Sequence, residues 1–383
     1  MFCFDAPCAS ACPTHIDVPR FIKKISTGNT LGAAETIVDA NVLGLSCSRV
    51  CPVDVLCEGA CVYHNINGKP ITIGLLQRHA MDHFYASAGK LPYKTIPNSK
   101  KVACIGAGPA SLACAAELRK NGLSVTIFDK RPQPGGLNTY GVAQYKFTPS
   151  DAAREVELVR ATGVEFRSGV AVGKDVSIED LEKEFAAIFI GIGLGSTQPL
   201  GIPGETLPNV LNALEFIAAY KHAEPMHVGQ SVAVIGGGNT AIDAAVAAKY
   251  LGAPHVSILY RRAESNMSAF AFEYEHARNA GIRFVWNARP VRFTEHAVEC
   301  ENGLSFPCDT IIVAIGQSRL LETLQSIRTI ELRNGQVVVN PQTGQTADPK
   351  YFAGGDCVNG GREVVDAAAE GKRAAQGIIQ WLT

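Results

Sequence analysis

Hydrophobic and polar positions follow two different periods along this chain. Over Val18–Thr27, Thr30–Ala40 and Thr72–Phe84 apolar residues return at helical spacing, which predicts a helical front with irregular segments between its helices. Beyond residue 100, short apolar runs predict buried strands, and one segment type occurs twice: strand, glycine-rich turn, alanine-rich helix. The first copy runs from Val102–Ile105 through Gly106-Ala-Gly108-Pro-Ala-Ser111 and a helix to Asn121, with Gly122 ending it, into the strand Ser124–Asp129. The second runs from Val232–Ile235 through Gly236-Gly-Gly238-Asn239-Thr240-Ala241, a helix to Leu251 and Gly252, into Val256–Tyr260. Two more apolar runs end in glycine: Asp309 to Gly316-Gln317, and Tyr351 to Gly354-Gly355-Asp356 before a helix starting near Glu363. The polar stretch 87–99, with two prolines and no period, reads as a linker.

A strand before and a helix after turn a glycine-rich match into a nucleotide-binding expectation. The first glycine allows the tight turn and the second lets backbone approach a pyrophosphate. The helix N-terminus offers free N–H groups, and Ser111 or Ala241 need only be small. The strands that follow differ at their ends. Asp129 can accept hydrogen bonds from an adenosine ribose, which suits FAD or NAD(H), whereas Arg261-Arg262 suits the 2′-phosphate of NADP(H) or a solvated strand end. Asp356 fits either a flavin ribityl hydroxyl or a helix cap.

These features resemble flavoproteins of the pyridine nucleotide–disulfide reductase type, which carry an NADP(H) domain inserted into an FAD domain. In that resemblance Gly136, Asn138 and Thr139 lie along the flavin. No C-x-x-C or C-x₄-C pair follows the first fingerprint, so electrons are expected to leave by another exit.

The 383 residues carry a formal net charge of −1, which gives no basic field for nucleic acid or an anionic membrane. No export signal or membrane-length apolar run is seen, so a cytoplasmic protein without nucleic-acid or membrane partners is expected. Of the 12 cysteines, seven lie in the first 61 residues: Cys3, Cys8, Cys12, Cys47, Cys51, Cys57 and Cys61. Cys-Pro steps and these spacings suit iron–sulfur clusters, and Cys57-x₃-Cys61 also fits half a zinc site.

The stretches Asp5–Pro19 and Asn41–Cys61, with Ile73-Gly-Leu-Leu-Gln77, resemble the N-terminal domain of dihydropyrimidine dehydrogenase. The similarity runs on to Gly371-Lys372 and is closest to the bacterial form whose flavin–NAD(P)H half is a separate subunit; the glutamate synthase small subunit is a near relative. The resemblance implies an α-helical iron–sulfur domain with linker (1–95), an α/β FAD domain (96–211 and 319–383) and an NADP(H) domain (212–318). It implies FAD, NADPH with NADH possible, and two [4Fe–4S] clusters. One cluster would use Cys12, Cys51, Cys57 and the Gln77 amide; the other would use Cys3, Cys8 and Cys61. The family's fourth ligand to the latter would fall immediately ahead of Met1, so a shortened chain, a start placed too late, or a three-ligand cluster is expected. Cys47, Cys104, Cys114, Cys300, Cys308 and Cys357 are expected to pack rather than ligate.

Hydride would pass from NAD(P)H to the flavin, and single electrons through the clusters to an FMN- and iron–sulfur-containing subunit that reduces uracil or thymine. A (β/α)₈ barrel for that step takes ~250 residues, so this chain is expected to be the electron-input subunit. The alternatives are the input subunit of glutamate synthase or of another acceptor, and a zinc-binding interaction or sensor protein with vestigial nucleotide domains.

Overall fold

The computed structural model describes residues 3, 5–91, 100–301 and 303–383, so most of the expected linker at 87–99 lies outside the described residues. The chain divides into two compact units. One comprises Met1–Thr139, Ser150–Leu194 and Arg319–Thr383, the other Tyr140–Pro149 and Gly195–Ser318.

The front helices of the first unit begin where the sequence supplies side-chain caps. Asp17 accepts the Arg20 N–H at 3.0 Å before Val18–Ser26, and Asn29 accepts the Gly32 N–H at 2.9 Å before Thr30–Ala40. The helix Ile73–Ala86 packs on Thr30–Ala40 and on the short helix Gly44–Val50. A Cβ on Gly44 would meet Ile37 Cγ2 at 2.6 Å, so glycine lets these three helices close around Ile37 and Met81.

The rest of this unit is built on a five-stranded parallel sheet, in the order Tyr351–Ala353, Ala187–Ile190, Lys101–Ile105, Ser124–Asp129, Glu165–Ser168. Its central strands are buried runs without alternation, as expected of a parallel sheet covered on both faces. The helix Pro109–Lys120 lies against the long helix Val364–Leu382, whose Gly371 would place a Cβ 2.0 Å from Ala110 O. Glu363 and Asp366 form that helix's capping box.

The second unit repeats the arrangement with the parallel order Val210–Asn212, Thr310–Val313, Ser231–Ile235, His255–Leu259, Arg283–Val285. It adds an antiparallel ribbon of Pro290–Phe293, Ala297–Cys300 and Ser305–Pro307. Both strand–turn–helix segments form within a residue or so of their expected bounds.

The second unit takes in Tyr140–Pro149, where Lys146 pairs with Asp243 and Glu273 and Tyr145 donates to Asp243. The helical front shares the first unit, where Ser46 is bonded to Glu155. Among the described residues, no helix is long and apolar enough to cross a membrane.

Candidate functional site

In the first unit, Gly106 has φ +91°, and a Cβ there would meet Gly191 O at 2.5 Å, so only glycine makes this turn out of the strand. Gly135 N–H donates to Ala107 O at 2.8 Å, which lays the Gly135-Gly136 segment on the turn; a Cβ on Gly136 would stand 2.7 Å from Gly108 Cα. The helix that follows has no side-chain cap at Gly108, leaving its first N–H groups for an anion. Asp129 accepts the Ala107 N–H at 2.6 Å and the Arg131 N–H at 2.7 Å, one on each oxygen. A carboxylate oxygen takes more than one donor, so Asp129 keeps acceptor capacity for hydroxyls. Ser111 is buried beside Gly191, its Oγ without a partner among the described residues. Asn138 and Thr139 are buried, Thr139 Oγ1 donating to Pro134 O at 2.7 Å.

Asp356 follows Gly355 (φ +77°) and makes no helix cap; Gly355 occupies that position, and Glu363 caps the long helix. Burial pushes the Asp356 carboxyl up to about 6, against the Arg362 N–H bond and nearby Arg319. A polar group so placed suits a hydroxylated ligand.

The second unit holds the matching cradle. A Cβ on Gly236 would lie 2.2 Å from Ala314 O, Gly238 faces only Ser268 Oγ at 3.6 Å, and the helix Asn239–Tyr250 also lacks a side-chain cap. Asn239 Oδ1 accepts the Phe270 N–H at 3.0 Å, Thr240 is exposed, and Ala241 is buried under the turn. Gly316 (φ +109°) presents open space. Arg261 and Arg262 line a cleft of about 520 Å³ together with Asn287, Arg289 and Glu301. The sequence reading missed Arg289 and Asn287. They lie past the next strand, at no spacing that links them to the fingerprint, and Asn287 is brought in by a left-handed turn (φ +55°).

The front thiols fall into two sets. Cys8 is raised by burial and by the charges of Cys61 and Cys3. A hydrogen bond with Cys47, burial, and the charges of Cys47, Cys12 and Cys57 hold the Cys51 thiol well above its ordinary range. Burial, Cys12 and Glu58 push Cys57 up to about 12. Thiols that resist ionising beside one another suit a site whose iron supplies the missing positive charge. Gln77 is buried and its Nε2 donates to Gly44 O at 3.0 Å, which leaves Oε1 as the end available for a ligand bond. Among the described residues no three His, Cys, Asp or Glu side chains meet at single-ion spacing; in a cluster each thiolate binds a different iron, so its ligands stand apart.

Residues 100–371 match the pyridine nucleotide-disulphide oxidoreductase family, and residues 1–88 match dihydropyrimidine dehydrogenase domain II, 4Fe-4S cluster. The chain belongs to this oxidoreductase family. It is an FAD-dependent NAD(P)H oxidoreductase with an iron–sulfur domain at its front. It is 36% identical to the oxidoreductase AegA of Escherichia coli over 98% of its length, spanning 63% of that protein. Identity is 33% to the glutamate synthase [NADPH] small chain of Escherichia coli (99% of this chain, 89% of that one). It is 34% to the NAD-dependent dihydropyrimidine dehydrogenase subunit PreT of Salmonella typhimurium (100% and 92%). The fold resembles Mycobacterium tuberculosis FprA in complex with NADPH (TM-score 0.61, 18% identity, 74% of this chain, 85% of that one).

Two polar constellations of the oxidoreductase escaped the sequence reading. In the second unit Lys146 Nζ lies 2.6 Å from Asp243 Oδ1 and 2.5 Å from Glu273 Oε1, and Tyr145 OH donates to Asp243 at 3.1 Å. In the first unit Glu155, fully buried, accepts the Ser46 N–H at 2.8 Å. Its Oε2 has no partner among the described residues, and burial pushes its carboxyl up to about 7. Each pairs positions far apart in sequence, so no local pattern announces it.

Proposed function

We propose that this oxidoreductase is the electron-input subunit of a pyrimidine-reducing enzyme: it takes hydride from NADPH and passes single electrons to a partner subunit. The observation that carries the reading is the combination, in one chain, of an acid-ended nucleotide cradle, an arginine-lined one and two thiol sets. Gly106, Gly108 and the helix N-terminus behind Ser111 take the FAD pyrophosphate, Asp129 its ribose and Asp356 a ribityl hydroxyl, with Gly136, Asn138 and Thr139 along the ring. Gly236, Gly238, Asn239, Thr240 and Ala241 receive the NADPH pyrophosphate, and Gly316 leaves room beside it. Arg261 and Arg262, joined by Arg289, receive its 2′-phosphate. Cys12, Cys51, Cys57 and Gln77 hold one [4Fe–4S] cluster, and Cys3, Cys8 and Cys61 ligate a second. When bound, flavin and clusters together convert a two-electron hydride into single electrons.

The test is the visible spectrum of anaerobically purified protein, with iron and flavin counts, before and after NADPH. A yellow-brown protein bleached by NADPH, unable to reduce uracil alone but able to do so with an FMN- and iron–sulfur-containing pyrimidine-reducing subunit, is the expected result. Colourless protein, or uracil reduction by the isolated chain, refutes the proposal. The 33% identity to a glutamate synthase small chain favours a second reading, in which the same residues feed a glutamate synthase large chain instead.

A further inference from the structure

Within the first unit, the front helices and the helices Pro109–Lys120 and Val364–Leu382 line an open cleft of about 760 Å³. Its walls carry five lysines and arginines, Arg20, Lys24, Lys120, Lys372 and Arg373, against the three carboxylates Asp17, Glu35 and Asp39, a surplus of two positive charges. Three of the cations are fixed by bonds that tie the helices together. Lys24 Nζ donates to Gly32 O and to Thr36 Oγ1, both at 2.7 Å, Lys372 Nζ donates to Ala40 O at 3.0 Å, and Lys120 pairs with Asp39. The other two are uncommitted. Arg20 on the helix Val18–Ser26 and Arg373 on the helix Val364–Leu382 are exposed, and neither guanidinium makes a hydrogen bond or ion pair among the described residues; Arg373 acts on Glu370 only at a distance. His15 joins them. Its left-handed backbone (φ +54°) leaves it exposed between buried Thr14 and Ile16, and its ring has no bond among the described residues.

Free guanidinium groups in one cleft with anchored ammonium groups make a site for an anion, and the walls say which kind. The donors come from separate segments of chain, His15 from a loop and the others from three helices, so they approach from several directions. That suits the tetrahedral oxygens of phosphate better than a planar carboxylate. Five cations and a cleft far larger than a single phosphate call for more than one such group. A nucleotide base is not provided for: no Phe, Tyr or Trp ring lines the cleft, and its apolar lining is confined to Pro13, Ala40 and Ala369. We infer that this cleft binds a small molecule bearing at least two phosphate groups and no aromatic base, held by Arg20 and Arg373 together with Lys24, Lys120 and Lys372. The phosphates are carried either on a sugar or in an inorganic chain. A ligand so held bridges the front helices to Pro109–Lys120 and Val364–Leu382 and stabilises the folded chain by mass action.

The test is isothermal titration calorimetry on the full chain, loaded with flavin and iron and kept saturated with NADP+ so that the cleft at Arg261 and Arg262 is occupied. The probes are tripolyphosphate, fructose 1,6-bisphosphate, ADP and citrate. Wild type is compared with Arg20→Gln, Arg373→Gln and the double variant. Lys23→Gln is the control, exposed on the same helix as Arg20 but outside the cleft. Neither arginine side chain is bonded in the fold, so the variants keep the wild-type far-ultraviolet dichroism. The expected result is one saturable site per chain for tripolyphosphate or the bisphosphate, the tighter of the two naming the source. Its affinity falls at least about tenfold in each single variant and further in the double, with Lys23→Gln unchanged. The same probe raises the thermal unfolding midpoint of wild type and not of the double variant. No saturable binding of either phosphate probe up to about 1 mM overturns the proposal, and so does binding that the double variant leaves unchanged. Citrate binding tighter than both, or ADP tighter than tripolyphosphate, refutes the stated ligand class.

Discussion

Replacing Lys146 with Met tests whether the Tyr140–Pro149 segment is held in the second unit by charge. Lys146 is 13% exposed, and its partners Asp243 and Glu273 are 9% and 7% exposed, at 2.6 and 2.5 Å. Burial works against the Lys146 ammonium, but the two carboxylates outweigh it and hold the group above its ordinary range. One cation shared by two carboxylates leaves surplus negative charge, and burial correspondingly raises Glu273 despite the nearby lysine. Met keeps most of the lysine stem's packing, so the loss is mainly electrostatic. Removing one member of a buried pair costs about 3–5 kcal/mol, or roughly two to four decades in the unfolding equilibrium. The sign with pH follows from linkage. In the variant Glu273 is raised further above its unfolded value near 4.5, so the folded state takes up its proton first. The deficit is largest where Glu273 is ionised in the folded variant and shrinks as pH falls through its raised range, because the proton taken up there removes the uncompensated charge. Urea unfolding followed by Trp286, which lies 5.4 Å from Phe284 within the second unit, reads this once the other tryptophan is removed by Trp381→Phe. A deficit under about 1 kcal/mol, or one flat with pH, refutes the argument, because the segment would then be held by packing alone.

Three other outcomes are expected. Arg262→Ala or Arg289→Ala should raise KM for NADPH by roughly ten- to a hundredfold, the value of one charge-assisted hydrogen bond, and leave KM for NADH nearly unchanged; steady-state kinetics with both nucleotides checks this. Gly136→Ala forces a Cβ to within 2.7 Å of Gly108 Cα at a φ of +57°, so the purified protein should lose most of its flavin absorbance while keeping its far-ultraviolet dichroism. Glu155 is raised from 4.5 to about 7. The associated stability, about 3 kcal/mol, is present below about pH 4.5 and lost as pH rises to about 7, and Glu155→Gln should remove that slope from a stability-versus-pH series.

Local order made much of this molecule legible in its sequence. The helix starts at Val18 and Thr30 follow from Asp17 and Asn29, and the two strand–turn–helix segments follow from glycines that no other residue could replace without clashes at Gly191 O and Ala314 O. The pairing of Lys146 with Asp243 and Glu273 was not legible, because it spans about a hundred residues and a sequence shows a charge but not its partner. Arg289 escaped for the same reason. Asp356 shows the reverse case: two readings were open, and the structure removes the helix cap by placing Gly355 there and giving the long helix to Glu363 and Asp366.

The division of the thiols bears on what Cys47 can do. It lies on the helix Gly44–Val50, buried, with its sulfur accepting the Asn41 amide at 3.2 Å and hydrogen-bonded with Cys51. That places it with Cys12, Cys51 and Cys57, the thiols that act on one another around Cys51. If Cys51 ligates as proposed, a thiol so held adds a hydrogen bond to its sulfur, and such bonds are among the levers that set a cluster's potential. Cys47 is therefore better suited to tuning the Cys51 set than to completing the Cys3, Cys8 and Cys61 set, although a count of cysteines would offer it as the eighth ligand.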